Sequence, residues 1–159
     1  MGSRSKNSLA YIAGFLDGDG SLMLQIKKRR DGALKRRFMC TIVFYQDTRH
    51  EAPLRWIRRI LGIGYLSRRN DGMSELRING FAQTRDILSD LLPFIRFKRV
   101  QAQALLKAAT ILASISQDKL IRPQLSRIAD HIVVVQNANY ATRRKKDKSE
   151  IRRLLGLTP

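Results

Sequence analysis

Between Ala10 and Ser21 the sequence reads Ala-Tyr-Ile-Ala-Gly-Phe-Leu-Asp-Gly-Asp-Gly-Ser. With Ser8 as its cap, this stretch predicts a short helix that stops at Gly18 and Gly20. A helix on a protein surface shows a polar stripe, and this one is almost wholly apolar, so it is expected to be covered on both sides. Ala10, Gly14 and Gly18 recur every four residues on one stripe, where side chains that small let a second backbone come close. One covering surface is therefore expected to belong to a partner chain. Asp17 and Asp19 sit where the helix ends, facing the negative end of its dipole, which is unfavourable unless a cation is near. Two readings stay open at this point: a plain turn, or acids that hold a cation.

Beyond this helix, Leu22, Leu24 and Ile26 alternate with Met23, Gln25, Lys27 and Arg29, the period of a half-buried strand. Asp31-Gly32 signals a turn, after which Phe38, Cys40, Ile42 and Phe44 alternate with Arg37, Met39, Thr41, Val43 and Tyr45. The two runs predict a long antiparallel hairpin. Residues 51–61 predict a helix with Pro53 in its first turn and Gly62 past its end, its stripe of Trp56, Ile57, Ile60 and Leu61 assigned to the core. A second hairpin follows, 65–69 and 74–79 around Asn70-Asp71-Gly72, with Leu66, Leu76 and Ile78 inward and Tyr65, Ser67, Arg69, Glu75 and Arg77 outward. The remainder is helical: 81–92, 98 to about 114, about 123 to 137, and a short last helix capped by Asp147 with Glu150 three residues on. The expected fold is α+β, in the order α-ββ-α-ββ-α, with a four-stranded antiparallel curved sheet covered on one face and additional C-terminal helices. Residues 1–159 are expected to form one domain, its core at about 8–137 and a basic loop with a short helix at 138–159.

The chain of 159 residues carries 31 Lys and Arg against 13 Asp and Glu, a formal charge of +18. A surface that positive suits a polyanion, and nucleic acid is the leading partner. A membrane partner is not expected, since no basic amphipathic helix with an aromatic face stands out and no apolar run approaches the roughly 20 residues a spanning helix needs. One cysteine, Cys40, excludes a disulfide framework, and His50 and His131 are too few for a zinc site, so any metal must sit on oxygen ligands. With no secretory signal visible, the expected location is intracellular, its compartment unspecified.

If two copies of the first helix pack along the glycine stripe about a two-fold axis, their acidic ends lie side by side and form a paired site for divalent metal. Such a site suits phosphodiester hydrolysis, and a symmetric dimer supplies one acid for each strand of a duplex. The Ala10–Ser21 sequence resembles the signature of the LAGLIDADG homing endonucleases, and its single copy is similar to their homodimeric branch. The likeness, with the element order, covers Leu9 to about Gln103. The resemblance implies that Asp19 is the catalytic metal ligand, that Asp17 is structural, and that Gln46 and Lys98 surround the hydrolytic water. It implies magnesium as cofactor, with manganese or calcium as substitutes in binding, and cleavage of both strands of a long pseudo-palindromic site with 3′ overhangs. Where close relatives place an arginine near the active site, this chain has His50. Taken alone, Lys98 also reads as a solvated cation at a helix start.

On the outward strand face, Gln25, Lys27, Arg29, Arg37, Arg69, Glu75 and Arg77 present donors and acceptors on one surface, and a two-stranded ribbon fits the major groove. Tyr65 and Ser67 share that face. Met39, Val43 and Tyr45 suit thymine methyls, although core packing accounts equally well for Val43. Charged strand faces also arise simply to prevent edge-to-edge pairing, but so many cations on one face of a chain this basic favour DNA contact. Arg143, Arg144, Lys145, Lys146 and Lys148 form a basic run expected to touch phosphate. Ala10, Gly14 and Gly18 are the expected dimer interface. The expected activity is a metal-dependent, site-specific DNA endonuclease. A DNA-binding protein or RNA-splicing maturase that has lost cleavage is the alternative, and RNA binding stays open.

Overall fold

The computed structural model describes residues 4–32 and 34–157, and the chain ends and Ala33 lie outside the described residues. Helix α1 spans Lys6–Asp19. Its cap is Ser5 and not Ser8: the Ser5 hydroxyl accepts the Ser8 N–H at 3.2 Å, so the serine three residues on supplies the third orphan donor. Gly20 turns the helix directly into strand β1, Gly20–Lys28. A Cβ at Gly20 would stand 2.8 Å from the Leu16 backbone, so only glycine lets the strand leave the helix without a spacer.

Strand β2, Arg36–Asp47, pairs antiparallel with β1, with Gly20 opposite Phe44 and Lys28 opposite Arg36. The connection is a wider loop than a two-residue turn, closed where the Arg29 N–H donates to the Lys35 carbonyl. Helix α2, Ala52–Leu61, follows a short 3-10 turn at Thr48–His50 and ends on Gly62 in the left-handed region at φ 73°. Strands β3, Tyr65–Arg68, and β4, Met73–Asn79, complete a sheet of order β1-β2-β4-β3, antiparallel throughout. Helices α3, Phe81–Leu91, α4, Arg99–Ser114, α5, Arg122–Ala138, and α6, Lys148–Leu154, make up the rest. The α+β order expected from the sequence is the order observed.

One face of the sheet carries Leu22, Leu24, Phe38, Cys40, Ile42, Phe44, Leu76 and Ile78 into a core shared with Ile12, Leu16, Ile57, Leu88 and Leu105 of the helices. Burial pushes the Cys40 thiol up to about 12, which leaves it a small core hydrophobe and no nucleophile. Trp56 departs from its expected core place. It is half-buried, its ring edge-on to that of Tyr11 with centroids 5.4 Å apart, beside an open concavity lined by Asn7, Ser8 and Pro53. Among the described residues no helix is long and apolar enough to cross a membrane.

Glu51 joins α2 to the second hairpin. Its carboxylate, buried to 7 % exposure, accepts Arg68 at 2.9 and 3.2 Å, the Ser74 hydroxyl at 2.6 Å and Arg55 at 2.5 Å. The hydrogen bonds from Arg68, then Ser74, then Arg55 hold its carboxyl down at about 2 from an ordinary 4.5. A carboxyl lowered by folding stabilises the native state above its unfolded value, and this stabilisation fades as the pH falls from 4.5 towards 2. Glu51→Gln is expected to lower the thermal midpoint at neutral pH and to make its fall across that acid range shallower. Wild-type and variant midpoints that run parallel from pH 7 to pH 2, followed by circular dichroism, would remove Glu51 from this role.

Candidate nucleic-acid interface and cleavage centre

The C-terminal end of α1 is held by two reciprocal sets of hydrogen bonds. Asp17 is buried at 8 % exposure, and its carboxylate accepts the backbone N–H of Arg96 at 2.7 Å and of Lys98 at 3.0 Å. Lys98, at 7 % exposure, sends its amine back to the carbonyls of Leu16 at 3.0 Å and Asp17 at 2.5 Å. Orphan carbonyls at the end of α1 thus receive a cation, and the start of α4 receives an acceptor. Burial pushes the Lys98 amine down, partly opposed by the charges of Asp17 and Asp19. The solvated-cation reading of Lys98 is therefore overturned, because the helix end has taken the amine out of water. An ammonium has three donors, so one remains for a water or an anion.

Asp19 is exposed, two residues past this clamp. Its neighbours on the outer stripe, Ala10, Gly14 and Gly18, are exposed as well, and a Cβ built on either glycine meets nothing within 4 Å. Glycine in a helix interior costs about 1 kcal/mol relative to alanine, and nothing among the described residues requires it at those positions. Gln46 lies just past the level of Gly20, opposite Ser74, and its Oε1 accepts the Asp47 N–H at 2.8 Å, leaving the amide nitrogen to donate. His50 is exposed on the 3-10 turn beside Arg49, whose guanidinium forks onto Asp47 at 2.8 and 3.0 Å. Arg49 hydrogen bonds hold the Asp47 carboxyl well below the usual carboxylate range. Among the described residues no group of three His, Cys, Asp or Glu side chains gathers in one place.

The register puts Gln25, Lys27, Arg37, Met39, Val43, Tyr45, Glu75, Arg77, Tyr65 and Ser67 on the sheet face away from the core. Val43 is nonetheless fully buried, as is Thr41 two residues earlier. Both occupy the middle of an inner strand, where Ser21 and Met23 on one side and Arg77 and Asn79 on the other cover them. Val43 offers no surface to a base, which corrects its assignment as a contact residue. Arg77 is turned along its own strand onto Glu75 at 3.1 Å, Arg69 onto Asp71 at 2.7 Å, and Arg29 onto Asp31 at 3.4 Å. Lys27, Arg37 and Tyr65 are exposed, while Gln25, Met39 and Ser67 are half-buried.

The basic run folds back against the edge of β1. Arg144, Lys146 and Thr142 line one cleft with Ser21, Met23, Gln25 and Lys27, so the loop and the strand face form one continuous basic surface. Arg143 and Lys145 are exposed, and the Lys145 amine donates to the Asn137 carbonyl at 3.2 Å. A second cleft, beside the end of α1, is lined by Gly20, Ser21, Tyr45, Lys98, Gln101, Asn139 and Tyr140. Gln101 and Tyr140 escaped the sequence reading. Gln101 stands one turn after Lys98 on the same helix, a spacing that could have revealed it, whereas Tyr140 reaches the cleft through a loop with no periodicity to follow.

An exposed acid at a clamped helix end, beside a basic face built on an antiparallel sheet, defines a protein that handles a polyanion. Comparison with known proteins supplies the class. The family model of the LAGLIDADG endonucleases matches residues 12–108. The chain is 31% identical over 147 residues to DNA endonuclease I-CvuI of Chlorella vulgaris, covering 92% of this chain and 91% of that one. It is 32% identical over 119 residues to DNA endonuclease I-CreI of Chlamydomonas reinhardtii, covering 74% and 72%. The crystal structure of I-CvuI with the I-CreI target and 2 mM Mg, the DNA not cleaved, superposes with a TM-score of 0.79 at 28% identity, covering 95% and 94%. I-CvuI with its own target and 2 mM Ca gives 0.78 at 28% identity over the same shares. The chain belongs to the LAGLIDADG endonuclease family.

Asp17 and Asp19 should separate cleanly in stability. A hydrogen bond to a charged group contributes about 1.5–3 kcal/mol, and Asp17 makes two inside the fold, so Asp17→Ala is expected to lower unfolding free energy by about 3 kcal/mol. Asp19→Ala removes an exposed charge from the unfavourable end of a helix dipole and is expected to change stability by no more than about 0.5 kcal/mol. Urea titration of both variants is the check, and equal losses would refute the division of roles.

Proposed function

We propose that this chain is a homing endonuclease that acts as a homodimer and hydrolyses both strands of a long, pseudo-palindromic DNA site, leaving 3′ overhangs. The observation that carries the reading is the exposed Asp19 at the end of a helix whose small-residue stripe is open along its length. Two such helices packed by their stripes bring two acids together, one for each strand.

One exposed carboxylate per chain fits magnesium, which keeps several waters and takes one or two carboxylates plus phosphate oxygens in place of an all-protein cage. Asp19 would hold it with the partner's copy of the same residue, and manganese or calcium would replace it in binding. The ion would activate a water and stabilise the charge that grows on the phosphate. Gln46, through its free amide nitrogen, orients that water. Lys98 presents its remaining donor towards the phosphate, from a fixed position that needs no reorganisation during the reaction. Gln25, Lys27, Arg29, Arg37, Met39, Tyr65, Ser67, Arg69, Glu75 and Arg77 read the groove, and Arg143 and Lys145 contact phosphates. In the bound state Arg77 exchanges Glu75 for a base edge at small cost, because a half-exposed ion pair contributes only about 0–1 kcal/mol.

Incubating the protein with magnesium and a randomised duplex library and sequencing the cut ends tests the reading directly. A defined two-fold site with staggered ends is expected, and Asp19→Asn is expected to bind the recovered site while cutting it orders of magnitude more slowly. An Asp19→Asn variant that cuts as fast as the wild type would refute the assignment. Gly14→Leu tests the dimer separately. With no internal contact at that position the chain should fold, yet sediment as a monomer and fail to cut. A Gly14→Leu protein that remains dimeric would place the interface elsewhere.

A further inference from the structure

Tyr140 is 87 % exposed and follows a residue tied to both a strand and a helix. The preceding residue, Asn139, donates its side-chain amide to the Leu22 carbonyl of β1 at 2.8 Å, and its N–H to the Val135 carbonyl at 3.1 Å. The Asn139 carbonyl accepts the Thr142 N–H at 3.3 Å. The exposed ring thus follows a tied residue and lines the cleft whose walls include Gly20, Tyr45, Lys98 and Gln101. Gln101 is buried at 5 % exposure and lines the cleft on both sides of the ring. One of these clefts reaches Asp17 and the other Gly20, the residue that follows Asp19.

Isolated exposed aromatics are ordinary on protein surfaces and need no special account. This one differs in standing on the rim of the cleft that contains the buried lysine, on a residue whose neighbour is bonded to the strand leading out of Asp19. We propose that Tyr140 is a positioning residue for strand cleavage: its ring packs against a deoxyribose of the strand being cut and holds the scissile phosphate in line with Asp19 and Lys98. The inference rests on the endonuclease reading. Its contact is with the sugar face, so the ring matters and the hydroxyl does not. Misplacement of a reacting group by about 1 Å costs up to about 100-fold in rate, and that is the scale of loss expected when the ring is removed.

The test compares wild type, Tyr140→Ala and Tyr140→Phe on the duplex recovered from the library selection. Binding is measured in calcium and single-turnover cutting in magnesium at saturating protein, with thermal midpoint and sedimentation as controls. Tyr140→Ala is expected to keep its fold, its dimer and its affinity within about twofold, while cutting about 10- to 100-fold more slowly. Tyr140→Phe is expected to cut at the wild-type rate. Wild-type cutting by Tyr140→Ala, loss by Tyr140→Phe as deep as that of Tyr140→Ala, or a loss of dimer or affinity that accounts for the slower rate would each overturn the inference alone. A wild-type protein that cuts no duplex in the library overturns the endonuclease reading, and the role of Tyr140 with it.

Discussion

The exchange between Asp17 and Lys98 sets the geometry on which the rest of the site depends. A helix end leaves carbonyls unpaired, and a following helix leaves N–H groups unpaired; here each end satisfies the other across 81 residues of sequence. Because both side chains are buried, the contact acts in a medium where an unpaired charge would be costly, and neither partner can leave without stranding the other. The consequence is rigidity where α1 turns into β1. Asp19 sits on that corner, and the strand that begins at Gly20 carries Gln25 and Lys27 away from it along the sheet. The proposed cleavage centre and reading face are thus joined by a single covalent corner whose orientation the clamp determines.

Much of this was legible in the sequence wherever periodicity was unmixed. The alternation of residues 22–29 and 37–45 gave the face assignments that the observed register repeats, and the Gly14 and Gly18 stripe is exposed as its spacing implied. Alternation identifies a face, however, and says nothing about exposure on that face. Val43 points outward and is fully buried because it lies on an inner strand with covered neighbours on both sides, and strand order is a long-range property. The start of α1 was misplaced because Ser5 and Ser8 are both competent caps, and the choice depends on which hydroxyl meets which N–H. The alternative of a solvated Lys98 stayed open in the sequence for the same kind of reason: the carbonyls that take its amine belong to an element formed at the other end of the chain. Tyr140 was invisible, and Gln101 legible only through its spacing from Lys98, because their common cleft exists only once α4, the C-terminal loop and β1 have met.

The charge of the chain is less free than its composition implies. Arg29, Arg49, Arg69 and Arg77 each rest on an acid two residues away, so several of the few carboxylates act as local tethers for cations near the proposed reading face. Pairs of this kind are weak at the surface and screened by salt, so they hold a side chain in a defined place without locking it there. Lys27, Arg37 and the run from Arg143 to Lys146 are exposed, and they contribute to the long-range field. A polyanion is drawn by the second group and can then compete for the first. In the proposed complex attraction and discrimination therefore reside in different residues, which is how phosphate contacts and base contacts divide in protein–DNA recognition generally.

Two features of α1 lower the stability of the isolated chain and lie on the same helix. Gly14 and Gly18 give up helix propensity at positions where a methyl group would find open space, and Asp19 places an exposed negative charge at the negative end of the dipole. A structural explanation inside the chain fails for each, since no internal backbone approaches the glycines and the cation nearest the helix end, Lys98, is spent largely on carbonyls. In the dimer proposed above, both costs are removed by the same event. A second α1 packed against the stripe uses the absence of side chains, and the shared cation that two facing acids require neutralises the charge at both helix ends. The isolated fold is thus poised against the features that become favourable when a second copy and a divalent cation are present, which ties assembly and chemistry to one surface.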